Sequence, residues 1–140
     1  MTAKRLLCVD DEPYILKSLQ RSFRNDGYEL LFAGSGAEAL AIFEQVTPIQ
    51  VVLSDFKMPG MNGLDLIRLV KAVRPRALGI ILTGYADVRQ CAAALEEKKI
   101  FALVHKPWDR TLLRRAVARA MEQYEIDAAA GGAASTDADK

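Results

Sequence analysis

Five short apolar runs recur along the chain, at 6–9, 28–33, 51–53, 78–82 and 101–104, and they narrow the fold more than any other feature. Most are continuous rather than alternating, which is the pattern of parallel strands covered on both faces. Between them the period becomes helical. Leu66, Leu69, Val70 and Val73 recur at i, i+3, i+4 and i+7; Leu113, Ala116, Val117 and Ala120 repeat the pattern; Ile15, Leu16, Leu19 and Phe23 form a third stripe. The punctuation agrees. Pro13 suits a first helical turn, Gly27 a helix stop, and Ser35 with Glu38 three residues on a capped start. Pro48 and Pro75 each close a helix, and Asp109 reads as the N-cap of the last one.

Strand and helix alternating five times predict an α/β fold, a doubly wound five-stranded parallel sheet with five helices packed on its two faces. Right-handed crossovers leave few topologies, and the order 2-1-3-4-5 is the expected one. That order reverses direction beside strand 1, so a crevice opens between the carboxyl ends of strands 1 and 3. Residues 4–126 are expected to form this domain. Residues 127–140 contain no large apolar side chain and read as a flexible tail or the start of a linker, with the helix able to run through Ala128–Ala130 before Gly131-Gly132 ends it.

Composition serves mainly to exclude. Hydrophobic residues are 51% and charged residues 26%, a globular profile. Nineteen basic against 18 acidic side chains give a net charge of +1, without the basic excess of a dedicated nucleic-acid binder. No apolar run is long enough to span a bilayer, and the first apolar run is too short for the core of a signal peptide. Cys8 and Cys91 are therefore expected to be reduced thiols buried in the core of a cytoplasmic chain. Zinc is disfavoured, since no Cys-x-x-Cys pair exists and His105 is the only histidine.

Chemistry gathers where the crevice is expected. Asp10, Asp11 and Glu12 follow strand 1, and Asp55 follows strand 3. A single Asp after a strand is ordinarily a turn or cap residue. Three converging on one crevice repel, so either one takes a proton or a cation binds. Oxygen-only ligands suit a hard ion such as Mg²⁺. Thr83 ends strand 4 and Lys106 follows strand 5, on the same edge. Taken alone, one is a cap and the other a solvated charge. Together, a hydroxyl and an ammonium facing carboxylates and a metal make a site for a dianionic group, with a carboxylate as the attacking nucleophile of phosphoryl transfer.

Val9-Asp10-Asp11-Glu12, Leu53-Ser54-Asp55-Phe56-Lys57-Met58-Pro59-Gly60-Met61-Asn62-Gly63, Leu82-Thr83-Gly84 and His105-Lys106-Pro107-Trp108 occur in order and at suitable spacing. In these the chain resembles the CheY-like receiver domains of two-component response regulators, over about residues 4–126. The resemblance implies that Asp55 is the phosphoacceptor, that Asp11 binds Mg²⁺ directly and Asp10 mainly through water, and that the backbone carbonyl of Lys57 completes the protein ligands. It implies that Lys106 pairs with the phosphoryl oxygens, that the Lys106-Pro107 bond is cis, and that Thr83 hydrogen-bonds the phosphoryl group, with Gly84 leaving room for it. The implied partners are a sensor histidine kinase or phosphotransfer protein and a downstream effector domain or protein. The face made by the fourth helix, fifth strand and last helix is implied to switch, and to offer a homodimer surface. Nucleic-acid binding by this domain and a membrane are not implied. The wording around Asp55 and Lys106 is similar to receivers that precede HD-GYP or sigma-54-type domains, and both a stand-alone receiver and a receiver fragment fit the chain.

Some positions depart from the family pattern. Leu103 stands where receivers usually carry a switch aromatic. Phe101, two residues earlier, is expected on the same face of the strand, with switching resting on Thr83 and its loop. Glu96-Glu97-Lys98-Lys99 replaces an Ala-Gly-rich turn and reads as a solvated cap in the first instance, a partner edge in the second. Lys57 and Tyr85, two residues after Asp55 and Thr83, are expected either to tune dephosphorylation or to be plain loop residues. Arg110, Arg114, Arg115 and Arg119 read as a solvated face, with an acidic partner or nucleic acid as the lesser alternative. Trp108 reads as partly buried packing.

Two other classes use similar parts. A haloacid-dehalogenase-like phosphatase needs a second Asp where Lys57 stands. A nucleotide or flavin module needs a Gly- or Ser/Thr-rich phosphate loop where Asp10-Asp11-Glu12 stands.

Overall fold

The computed structural model describes residues 3–134, less the side chains of Tyr85 and of residues 132–134. Five strands, β1 (Arg5–Val9), β2 (Glu29–Ala33), β3 (Val51–Asp55), β4 (Leu78–Thr83) and β5 (Ala102–His105), form one sheet. All pairings are parallel, in the order β2-β1-β3-β4-β5. The expected topology is present. Five helices connect and close it: α1 (Pro13–Phe23), α2 (Gly36–Gln45), α3 (Gly63–Val73), α4 (Val88–Glu96) and α5 (Arg110–Ala134).

The continuous apolar runs are explained by burial on both faces. Leu6 and Cys8 of β1 pack with Leu19 and Phe23 of α1 and with Leu113 and Val117 of α5. The intervening Leu7 and Val9 pack on the other face, with Phe43 of α2 and with Leu66 and Val70 of α3. A smaller cluster under α4 joins Phe56, Ile67, Ile81, Cys91, Ala94 and Ile100. Both cysteines are buried and free.

The caps follow the sequence with small differences. Ser35 Oγ accepts from the Glu38 N–H at 3.1 Å, while the Glu38 carboxylate reaches one residue further back than a capping box requires, to the Gly34 N–H at 3.0 Å. Asp109 Oδ1 accepts from the Leu112 N–H at 2.9 Å and starts α5. The fourth helical segment opens as a 3₁₀ turn at Tyr85–Asp87 before α4 proper. It ends at Lys98, a non-glycine residue at φ 60°, with the Lys99 N–H bonded to the Ala94 carbonyl.

The largest difference from expectation lies at the end of the chain. Gly131-Gly132 does not stop α5, which continues to Ala134. Glycine costs a helix only about 1 kcal/mol relative to alanine, and a helix already nucleated by its packed half propagates through alanine-rich sequence. The Gln123 side chain bonds Asp127 at 2.8 Å along this stretch, and Arg76 lies so close to Gly131 that a Cβ there would meet its guanidinium. Residues 135–140 of the expected tail lie outside the described residues.

Candidate functional site

Strand register brings the acids together. Val9 lies opposite Ser54, so the next residues on these neighbouring strands, Asp10 and Asp55, leave the sheet at the same level. With Asp11 they form a group in which one carboxylate oxygen from each residue lies within 4.8 Å of those from the other two. Asp10 is fully buried, Asp55 nearly so, and Asp11 is exposed, so the group opens to solvent on one side. The Glu12 N–H donates to Asp10 Oδ1 at 2.9 Å and fixes that carboxylate within the turn.

Lysine enters from the next two strands over. Thr83 lies opposite His105, and the Lys106 N–H donates to the Thr83 carbonyl at 2.8 Å, carrying the ladder one residue past β5. Lys106 Nζ then stands 2.7 Å from Asp55 Oδ1 and 3.4 Å from Asp10 Oδ2. The Lys106-Pro107 bond is cis, as expected, and Thr47-Pro48 is cis as well. Thr83 is buried at the end of β4, with its hydroxyl donating to the Gly84 carbonyl at 3.2 Å.

The loop after Asp55 is held at both ends. The Phe56 N–H bonds the Leu82 carbonyl at 2.9 Å, and the Gly63 N–H bonds the Phe56 carbonyl at 2.8 Å. A Cβ at Gly63 would lie 2.4 Å from the Asp55 carbonyl oxygen, so only glycine lets α3 begin this close to the strand. The Asn62 side chain caps the same helix by accepting from the Asp65 N–H. The sequence carries a signal for this cap that the motif comparison alone does not use: an Asn with Asp three residues later, opening a helical period. Lys57 is exposed on this loop.

Burial raises the Asp10 carboxyl above the ordinary aspartate range, with the neighbouring Asp55 charge adding to it and the Glu12 N–H and Lys106 opposing. Burial likewise raises Asp55, against the pull of Lys106 and with Asp11 and Glu12 adding to the rise. Burial on its own lowers the Lys106 ammonium, but its two carboxylate partners outweigh it and the net shift is upward. Two acids that resist ionisation beside an ammonium that holds its proton make a preformed site for more positive charge.

Other expectations divide. Trp108 is half-buried against the core shared by α1 and α5. Leu103 packs into the cluster under α4, but Phe101 is not on its face; it packs with the cluster on the α1 and α5 side. Strict alternation fails because Phe101 precedes β5, which begins at Ala102. Two of the four arginines serve the chain itself: Arg114 makes a two-pronged ion pair with Asp26, and Arg110 donates to the Arg21 carbonyl at 2.9 Å. Glu97 pairs with Lys99 at 2.8 Å in the charged cap after α4. The Tyr85 side chain lies outside the described residues.

The sequence profile of the response regulator receiver domain matches residues 6–118. The transcriptional regulatory protein GlrR of Escherichia coli is 35% identical over 118 residues, 84% of this chain and 26% of that protein. Sporulation initiation phosphotransferase F of Bacillus subtilis is 34% identical over 119 residues, 84% of this chain and 93% of that one. Among solved structures, a response regulator receiver domain protein from Clostridium thermocellum superposes with a TM-score of 0.82 at 34% identity, covering 88% of this chain and 98% of its own. The chain spans about a quarter of the length of the first transcriptional regulators it matches.

Proposed function

The chain belongs to the response regulator receiver domain family, and on that premise we propose that Asp55 accepts a phosphoryl group from the phosphohistidine of a sensor histidine kinase or phosphotransfer protein. Receivers are regulatory phosphoacceptor domains of two-component signalling, and what this one delivers is a changed conformation. The observation that carries the reading is the Asp55 carboxylate, bonded to Lys106 at 2.7 Å and within 4.8 Å of two further carboxylates at the sheet's carboxyl edge.

The donor set fits Mg²⁺: it is oxygen-only, clustered, and two of its acids have raised proton affinity that a dication would relieve. Asp10, Asp11, Asp55 and the Lys57 backbone carbonyl would hold the ion. When bound, it supplies positive charge for the attacking and transferring oxygens. The chain's own groups do the rest. An Asp55 carboxylate oxygen bonds to phosphorus as the phosphorus–nitrogen bond of the donor breaks and its electron pair returns to the imidazole. Lys106, already on Asp55, offsets the charge that grows on the phosphoryl oxygens. Thr83 donates to the same oxygens, and a Cβ at Gly84 would meet nothing within 4 Å, so the space beside it is open. Water later hydrolyses the acyl phosphate, at a rate tuned by Lys57 and Tyr85. Both half-reactions are the domain's own chemistry on itself.

Phosphorylation repacks the α4-β5-α5 face, which acts on an effector domain or protein and serves as a homodimer surface. The setting is cytoplasmic, consistent with the absence of any membrane-crossing helix among the described residues. Intact-mass measurement with Mg²⁺ and acetyl phosphate tests the proposal. One phosphoryl adduct is expected, absent in Asp55→Asn and after chelation. Steady turnover of the donor without an adduct would favour the phosphatase reading.

A further inference from the structure

Between α3 and α4 the surface opens into a groove of about 420 Å³. Its floor is apolar: Ala94 and Ile100 are buried in the cluster beneath α4, and Leu64 packs against them. Its rim is basic. Arg68 and Lys71 stand on the α3 side, and Lys98 and Lys99 on the turn after α4, against one acid, Glu97. Lys71, Lys98, Lys99 and Ile100 also line an adjoining hollow of about 250 Å³. That hollow carries the groove on to Leu95, a leucine 38% exposed.

The rim cations keep their charge in play. Arg68 pairs with Asp65 at 2.7 Å and Lys99 with Glu97 at 2.8 Å, but both pairs are solvent-exposed, and exposed pairs hold weakly. Lys71 Nζ donates to the Pro75 and Ala77 carbonyls, neutral partners that leave its charge in place. Lys98 forms no ion pair among the described residues. It also holds φ 60°, a left-handed conformation that glycine adopts freely and lysine does not. Backbone strain of this kind collects at ligand-binding segments, and here it falls on the turn that carries two of the four rim cations. On α5, by contrast, Arg114 is committed to Asp26 and Arg110 to the Arg21 carbonyl.

We propose that this groove docks a short acidic segment of a partner protein, with aliphatic side chains seated on Leu64, Ala94 and Ile100 and carboxylates meeting the rim cations. Charge complementarity selects the occupant: a basic segment is repelled by the rim, and a neutral one leaves it unused. A groove between two helices is an established kind of receptor for such segments. A nucleic-acid strand carries the same charge, but the 420 Å³ groove has no aromatic side chain on which a base could stack. The surface lies on the α3 side of α4, apart from the α4-β5-α5 face, and the proposal does not depend on the role of Asp55.

The test is titration of the ¹⁵N-labelled full chain with an acetylated, amidated Glu-Leu-Glu-Glu-Leu-Glu peptide, followed through backbone amide shifts. Shifts should centre on Leu64, Ala93, Ala94 and Ile100. They should disappear when Lys replaces Glu in the peptide and when Ser replaces Leu. The double variant Lys98→Glu, Lys99→Glu should weaken binding by on the order of tenfold, the scale on which charge focused in a cleft acts. Ala93 is exposed in the groove, so Ala93→Trp should block the peptide while leaving the circular dichroism of the fold unchanged. The charge-reversal pair is wholly on the surface and keeps the test decisive if the tryptophan disturbs folding. No shift at these amides with millimolar peptide, or equal shifts with the Lys or Ser peptides, would overturn the proposal. The same amides moving with an oligothymidylate and not with the acidic peptide would overturn it in favour of a nucleic-acid surface.

Discussion

Asp10 is a fully buried carboxylate with two jobs for its two oxygens, one taken by the Glu12 N–H and the other by Lys106 at 3.4 Å. It still sits against Asp55 and Asp11, and its proton affinity is raised by burial. Asparagine at this position keeps an acceptor for the Glu12 N–H and removes one of the repelling charges. Asp10→Asn is expected to stabilise the metal-free chain by about 1 kcal/mol in urea unfolding at neutral pH, the ordinary size of a single-site effect. Saturating Mg²⁺ should cancel or reverse the gain. The pH dependence carries the same sign. Asp10 and Asp55 bind their protons more tightly in the folded chain than in the unfolded one. Through these groups the metal-free fold gains stability as pH falls toward about 4, and loses it as pH rises through their folded values. Much of this was legible in the sequence, because acids placed directly after apolar runs locate themselves once the strand order is known. The close start of α3 on the Asp55 carbonyl was not, since nothing in the residue spacing shows that a Cβ at Gly63 would meet that oxygen.

At the level of elements, helix ends separate what sequence encodes locally from what packing decides. Ser35 and Asp109 cap as their types require. The start of β5 and the end of α5 are set by tertiary context: Phe101 is drawn into the α1 and α5 core before the strand begins, and α5 passes through two glycines. Lys98 shows the opposite tension. It occupies a left-handed position at the end of α4 that glycine adopts without steric cost. Lys98→Gly is therefore expected to stabilise the fold by about 1 kcal/mol in equilibrium unfolding. No gain would mean that packing of the lysine's alkyl stem in the groove it lines with Ile100 offsets the strain.

In the whole molecule, the two edges of the sheet do different work. At the amino edge, Gln50 is buried and ties the start of β1 to the sheet. It accepts from the Arg5 N–H at 2.8 Å and donates to the Ala3 carbonyl at 2.9 Å. Gln50→Leu strands both backbone groups and should cost about 1–3 kcal/mol of stability, while leaving the extent of phosphorylation unchanged in the folded protein. At the carboxyl edge, charge is concentrated against stability, with Asp10, Asp11 and Asp55 meeting where the winding of the sheet reverses. The near-neutral total of +1 conceals that segregation. The most direct test of the account is to locate the phosphoryl group itself. After treatment with acetyl phosphate and Mg²⁺, borohydride reduces an aspartyl phosphate to homoserine, which peptide mass spectrometry can place in the chain. The account predicts homoserine at position 55 alone, and only when Mg²⁺ is present. Homoserine at position 10 or 11, or a stable phosphate on a serine or threonine with Asp55 intact, would contradict it.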